Sequence, residues 1–266
     1  MTEEPQANEW QTPPPPELIK KEEPEMSEVA TLFNIFIEPG RTFEDLRKKP
    51  RFLLATLIIM ILATAYGFAL YQKVGTENYR SYIVAEVEKN PQVEKLDAAA
   101  KNNVIELNLT IREYLRYAAP LIVLIVIAIV GLFYWLGAKA FGGTGNYLHA
   151  ISVFVYSSLP PAIVGSIASI IVFIFKVPDE IDIAASQRSL IQANPSILID
   201  GKTMPVLATL LASFDLFLIW GWILAAIGLQ YTNKISSGSA WAVTIIMALI
   251  GIVLRVVGAY FSGNPS

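Results

Sequence analysis

The sequence of 266 residues contains no cysteine and a single histidine, His149. The absence of cysteine excludes disulfides, thiolate metal ligands and a cysteine nucleophile. One histidine provides too few imidazole ligands for a typical zinc site and cannot by itself complete a catalytic triad. Gly-x-Ser-x-Gly and His-Glu-x-x-His motifs are also absent. We therefore predict a protein that is not an enzyme and has no catalytic residues, metal site or cofactor.

Charged residues are scarce as well. They make up 16% of the chain, whereas an average soluble domain carries about 25%. The net charge of -3 at pH 7 gives no electrostatic reason to bind nucleic acid. We therefore expect neither a soluble enzyme domain nor a nucleic-acid-binding protein.

What the sequence does contain is long apolar stretches, within an overall apolar content of 54%. Each stretch is long enough to cross a hydrocarbon core about 30 Å thick at about 1.5 Å per residue. The composition predicts an all-α fold, a polytopic membrane helical bundle with about five transmembrane helices. The expected spans are residues 52–72, 117–138, 150–175, 206–230 and 240–261.

Residues 1–28 are rich in proline and glutamate. Such a segment cannot bury enough apolar surface to offset the entropy of ordering, so we predict a disordered acidic tail. The segment also lacks the basic and apolar regions of a secretory signal. It is either a plain solvated tail or a docking peptide that binds a protein partner through Trp10 and Leu18-Ile19.

Residues 29–51 are amphipathic but too short and too interrupted by proline to span a membrane. We predict an interfacial segment on the lipid bilayer, with a short helix that Thr42 caps and Pro50 stops. The apolar residues expected in the headgroup boundary are Phe33, Phe36, Ile37, Phe43 and Leu46. The basic residues expected to meet anionic lipid are Arg41, Arg47, Lys48, Lys49 and Arg51.

Most of the polar sequence between the spans lies at about 73–116 and 176–205. In the first stretch, apolar residues recur at steps of three and four from Val93 to Leu115, with Asn90 as the expected N-cap and Pro91 at the first helical position. This pattern predicts an amphipathic helical extension outside the membrane over about 90–116. Its apolar stripe packs either on its own neighbour or on a second copy of the chain, so a homo-oligomer is possible.

Two ionisable side chains lie deep inside predicted spans, Asp215 and Arg255. Each costs about 2.5–3.5 kcal/mol on insertion scales, so something must compensate them. An ion pair between the two is the simplest expectation, because the last two spans are antiparallel neighbours. The alternatives are a proton or ion site, or an Arg255 that snorkels while Asp215 is neutral or bonds to backbone.

The third span carries Tyr156-Ser157-Ser158-Leu159-Pro160-Pro161. Two prolines there predict a kink that frees the carbonyls of Tyr156 and Ser157, and the serine hydroxyls can partly satisfy them. Transporters build midplane sites at such places, although a kink can equally serve only to shape the bundle. The glycine-rich segment 141–146 lacks the Lys-Ser/Thr pair of a phosphate cradle, so we predict a tight turn between helices.

Several of these motifs together are similar to those of a known family. They are Asn34 to Pro39 with Thr42-Phe43, Gly142-Gly143 followed by Ala150 to Tyr156 and Leu159-Pro160, and Phe214 to Phe217 with Trp220 and Gly228-Leu229. This pattern resembles bacterial members of the Yip-one domain family of Ypt/Rab-interacting membrane proteins, over about residues 30–262. The eukaryotic tail motif Asp-Leu-Tyr-Gly-Pro is absent, so the Rab-binding role does not transfer.

The resemblance implies a five-span Yip-type membrane domain over residues 52–262. It also implies a cytoplasmic N-terminus and an outer C-terminus, in the cytoplasmic (inner) membrane of a bacterium. The basic cluster Arg47–Arg51 directly before the first span favours the same orientation by the positive-inside rule, whereas Arg112 and Arg116 on the proposed outer side do not follow the rule.

Two functions remain as hypotheses. The first is a non-catalytic scaffold or adaptor in membrane organisation or trafficking, which binds protein partners through the N-terminal tail or the 90–116 helix. The second is a small transporter or channel that uses Asp215, Arg255 and the Pro160-Pro161 kink.

Overall fold

A computed structural model of the protein describes residues 23–265, apart from residues 90, 187–189, 202 and 264. The disordered tail predicted for residues 1–28 therefore lies mostly outside the described residues, as does the expected N-cap Asn90. The described residues form helices and turns, without a β-strand among them.

The helices follow one another in a simple order. They are α1 (Glu28–Asn34), α2 (Pro39–Lys48), α3 (Leu53–Val74), α4 (Thr76–Glu88), α5 (Pro91–Glu94), α6 (Ala98–Tyr117), α7 (Ala119–Ala140), α8 (Tyr147–Phe175), α9 (Ile183–Ser186), α10 (Pro205–Ala212), α11 (Leu216–Asn233) and α12 (Ser237–Ser262). Single 3-10 turns at Pro178–Glu180 and Pro195–Leu198 lie in the segment between α8 and α10.

Five helices of the described chain are long and apolar enough to cross a membrane, namely α3, α7, α8, α11 and α12. The protein is thus an all-α membrane bundle, which confirms the predicted fold class. The fourth span differs from the expectation, because the chain leaves the helix at residues 213–215. The predicted span 206–230 therefore consists of the short helix α10 followed by α11.

The packing of the bundle centres on α8, which contacts α11, α7 and α3. One hydrophobic core connects these helices; its largest buried members include Phe43, Leu46, Tyr134, Tyr156, Leu159 and Leu229. We call the end of the bundle that holds the start of α3, the α7–α8 turn and the α11–α12 turn the near end, and the opposite end the far end.

Glycines allow several of these helices to approach closely, as is common between membrane helices. A Cβ atom at Gly131 of α7 would lie 2.7 Å from Ile151 of α8. A Cβ atom at Gly228 of α11 would lie 2.8 Å from Val153 and 2.9 Å from Phe43. The contact at Gly228 thus joins three elements of the chain: α11, α8 and α2.

The turn between α7 and α8 is tight, as the glycine-rich segment predicted. Gly142 has a φ of +79°, which favours glycine, and a Cβ atom at Gly145 would clash with the buried Asn233 side chain. The Asn146 side chain caps α8 by accepting from the backbone N–H of His149 at 3.2 Å. His149 in turn uses Nε2 to donate to the carbonyl of Arg47, at 3.0 Å.

The segment 29–51 packs on the bundle in a way that the interfacial expectation missed. Phe43 and Leu46 are fully buried in the core instead of lying among headgroups, because α2 packs against α11 and α8. Thr42 is not an N-cap: α2 begins at Pro39, and the buried Thr42 hydroxyl donates to the Glu38 carbonyl at 3.1 Å. Arg51 is buried as well, so it does not face lipid.

The helical extension outside the spans also begins at a different residue. The helix α6 starts at Ala98, where the Asp97 side chain accepts from Ala100 N–H at 2.7 Å, and Pro91 opens the separate turn α5. The predicted apolar stripe is divided: Val93 packs with Ile83 and Val87 of α4, whereas other members stay exposed. The exposed members are Leu96, Leu107, Ile111 and Leu115.

The contact at Gly228 makes a prediction about stability. We expect Gly228→Ala to lower the free energy of unfolding by about 1–3 kcal/mol, because the new methyl group overpacks a filled site. Gly251→Ala is the matched control, since a Cβ atom there meets nothing within 4 Å; it should leave stability unchanged or raise it by up to about 1 kcal/mol. Thermal unfolding in detergent measures both, and equal melting temperatures would contradict the proposed contact.

Candidate functional site

Asp215 lies at a break between helices and not in the middle of a continuous span. It is the N-cap of α11, and its carboxylate accepts from the backbone N–H of Phe217 at 2.9 Å. The other carboxylate oxygen accepts from the backbone N–H of Ala193 at 3.1 Å and from the side-chain amide of Asn194 at 3.0 Å. The positive end of the helix and these donors provide compensation for the partly buried charge.

A cavity of about 1310 Å³ opens beside this break. Pro161, Asp215 and Arg255 all line it, so the structure brings together three residues that the sequence singled out. Apolar lining comes from α3, α8 and α11; examples are Ile59, Leu62, Ala162, Gly165 and Leu218. The described lining also includes Lys89, just after α4, and carboxylates from α4 and from the segment between α8 and α10; these are Glu86, Asp179, Glu180, Asp182 and Asp200.

The expected ion pair between Asp215 and Arg255 stays a prediction. Both side chains line the same cavity, but the hydrogen bonds described for Asp215 come from Ala193, Asn194 and Phe217. These donors match one of the alternatives considered from the sequence, in which backbone groups satisfy the carboxylate.

The serine and tyrosine residues before the double proline have local or core contacts. Ser157 and Ser158 both donate to the carbonyl of Phe154, at 2.9 and 2.8 Å, and not to the carbonyls that the prolines free. Tyr156 is almost fully buried in the core, and its hydroxyl donates to Thr31 Oγ1 at 3.2 Å. α8 continues as a helix through Pro160 and Pro161, so the kink remains a prediction.

A second polar site lies near the start of α3, and sequence reasoning missed it. Asp45 of α2 forms an ion pair with Arg51, with side-chain exposures of 3% and 6%. Asp45 also accepts from the backbone N–H groups of Glu25 and Met26, and Arg51 donates to the Met26 carbonyl. We call these two side chains with the backbone of residues 25–26 the Asp45–Arg51 cluster.

Further contacts fix the same segment of the chain. Thr31 of α1 donates to the Glu28 carbonyl at 2.7 Å while it accepts from Tyr156 of α8. On the exposed side, Lys48 contacts Glu25 at 2.7 Å, and the hydrogen bond and charge of Lys48 lower the pKa of the Glu25 carboxyl. The described chain therefore enters the bundle at a defined place, directly after the tail.

The signal for this site was present in the sequence but ambiguous. Asp45 stands between Phe43 and Leu46, both core residues, so it lies on the apolar side of α2. An acidic residue on the buried face of a helix needs a partner. The choice among the nearby basic residues depended on where α2 packs, which the local pattern does not contain.

Comparison with known proteins agrees with the architecture. The model of the Yip1 domain family matches residues 33–258. The chain is also similar to the membrane protein YknW of Bacillus subtilis (strain 168), with 29% identity over 246 residues, which are 92% of this chain and 95% of that protein. No solved structure matches the chain.

The buried ion pair makes a second prediction. Asp45→Asn should cost about 3–5 kcal/mol of stability, because it leaves the buried Arg51 charge without its partner. Replacing both residues, Asp45→Asn with Arg51→Met, should cost less than the sum of the single changes. The control is Glu44→Gln, the adjacent exposed carboxylate, with an expected cost of at most about 1 kcal/mol. Additive costs in chemical or thermal unfolding would mean that the two side chains do not interact.

Proposed function

Because the chain belongs to the Yip1 domain family, we propose that this integral membrane protein acts as a non-catalytic scaffold or adaptor in membrane organisation or trafficking. Its task is to hold a partner-binding tail at a fixed place on the bilayer. The bundle provides the support, and the tail together with an exposed helix outside the spans provides the binding surfaces.

The observation that carries the proposal is the Asp45–Arg51 cluster. A tail that only extended from the first span would need no buried charges at its base. Here two buried side chains bond to the backbone of residues 25 and 26, and α1 and α2 pack on the span helices. This arrangement holds the backbone of residues 25 and 26 on the bundle, at the base of the proposed tail.

The far end offers a second surface of the right kind. The helix α6 packs on α4 through one face, while Leu107, Ile111 and Leu115 on another face are exposed, at 58%, 46% and 51%. Apolar side chains at this spacing are how helices bind partner helices. We propose that this face binds a protein partner, which includes a second copy of the chain.

We propose the orientation from charge. Arg47, Lys48 and Lys49 precede the first span at the near end, and cytoplasmic loops carry an excess of such residues. The N-terminus then lies in the cytoplasm and, with five spans, the C-terminus lies outside. The similarity to a Bacillus membrane protein supports a bacterial cytoplasmic membrane as the location.

The cavity favours a second candidate function, a small transporter or channel. Its described lining combines apolar side chains of spans with the charged Asp215 and Arg255. Polar residues that face a cavity among membrane helices often mark the path of an ion or solute. In this alternative, Asp215 would contact the transported species.

Deleting the tail tests the scaffold proposal. The intact protein should retrieve protein partners from solubilised membranes, and a variant without residues 1–22 should lose some of them several-fold, because their binding segment is gone. A variant with the same tail residues in scrambled order controls for charge and length. An unchanged partner set after deletion, or no partner for the intact chain, would contradict the proposal.

Transport by the purified protein tests the second candidate. If solute passage across liposomes depends on the Asp215 charge, Asp215→Asn should abolish it, since the amide oxygen can still cap α11 while the charge is removed. Glu44→Gln, outside the described lining of the cavity, should leave the flux unchanged. An inert wild type across protons, ions and small solutes would exclude this function.

A further inference from the structure

We propose that α1 and the turn after it enter the hydrocarbon of the near leaflet, so that the partner of their exposed apolar face is lipid acyl chain. The face consists of Val29, Phe33, Phe36 and Ile37, and we call it the α1 face. Its residues recur at the spacing of one side of a helix. In this arrangement the N-terminal segment is re-entrant and does not lie along the headgroups.

The α1 face is apolar and open. Val29, Phe33 and Ile37 are exposed by 56%, 70% and 78%, while Thr31 and Ile35 on the opposite side are buried against the bundle. Large apolar side chains exposed together on a soluble surface are unfavourable. Within a bilayer the same exposure carries no such cost.

The position of Phe36 along α11 gives the depth of the tip. The Phe36 ring lies 6.3 Å from the ring of Trp220, centre to centre. About 20 Å of helix separate Trp220 from Asn233 at the near end of α11. Gly40, at the start of α2, packs closer to the near end, because a Cβ atom there would lie 3.2 Å from the Tyr231 ring. Phe36 is therefore the deeper end of the hairpin, and we place its ring beyond a headgroup layer about 5–8 Å thick.

A second contact gives the depth of α1 independently. The hydroxyl of Tyr156 in α8 donates to Thr31. Ile151 of α8 lies beside Gly131 of α7, and about 13 Å of helix separate Gly131 from Ala140 at the near end. Tyr156 is about 7 Å farther along α8. Counted along α8 itself, Tyr156 lies about 13 Å from Tyr147, the first residue of the helix, so Thr31 contacts the bundle on the inner side of the near end.

The helix α2 returns toward the near end with a different surface. The carbonyl of Arg47 reaches His149, in the first turn of α8. The exposed side chains of α2 include Arg41 and Glu44, which are charged, and Arg41 approaches Glu38 at 3.5 Å and Glu25 at 3.7 Å. The hairpin thus has an apolar face on α1 and a charged face on Glu38 and α2, whose charges pair with one another.

Depth measurement by spin labels tests this inference, and the cysteine-free chain allows single labels without background. The labelled positions are Phe33→Cys and Ile37→Cys on the α1 face. Leu57→Cys, exposed on the span α3, is the lipid control, and Glu44→Cys on α2 is the headgroup and water control. Each full-length variant is reconstituted in vesicles of phosphatidylethanolamine and phosphatidylglycerol, and its melting temperature confirms that it is folded.

The expected result is that labels at 33 and 37 collide with oxygen several-fold more often than with a water-soluble nickel chelate, as at 57, while the label at 44 shows the reverse preference. Nickel accessibility at 33 and 37 equal to that at 44 would overturn the inference in favour of an aqueous surface. Labels at 33 and 37 that neither reagent reaches would overturn it in favour of a protein partner or a second copy. None of these outcomes depends on whether the tail binds partners.

Discussion

The buried ion pair between Asp45 and Arg51 is the interaction on which the N-terminal part of the structure depends. Two charges inside an apolar bundle are tolerated only when they are paired and hydrogen-bonded, and here each side chain also bonds to the backbone of residues 25–26. Because α2 carries Asp45, the pair requires α2 to pack against α11 and α8. The close approach at Gly228 makes room for that packing.

The same constraint explains Asp215 at the opposite side of the bundle. A carboxylate in the middle of a span would need a cation, whereas at a helix start it can accept backbone N–H groups. The helix is interrupted at residues 213–215. At this break the Asp215 carboxylate accepts from the backbone N–H of Ala193 and from the side-chain amide of Asn194. The break lies beside the cavity and the segment between α8 and α10, so one local solution to a partly buried charge also contributes to the lining of this space.

These features are the basis of the proposed scaffold role. Family membership defines an integral membrane protein, and the described surfaces differ by end: a fixed tail base beside α1 and α2, and an exposed apolar face on α6. The cavity supports the transport alternative through its charged lining residues Asp215 and Arg255. Partner binding and flux are separate measurements, so the two functions can be distinguished.

The sequence by itself determined the five spans and the tight α7–α8 turn, because apolar length and glycine content are local properties that lipid and backbone geometry act on directly. It also identified Asp215, Arg255 and Pro161 as unusual, without their common cavity. Only the tertiary structure decided that Phe43 and Leu46 face the core, that Arg51 is the partner of Asp45, and that the α6 stripe divides between α4 and an open face. Each of these depends on which distant helix covers a side chain, and an amphipathic pattern does not specify what covers its apolar face.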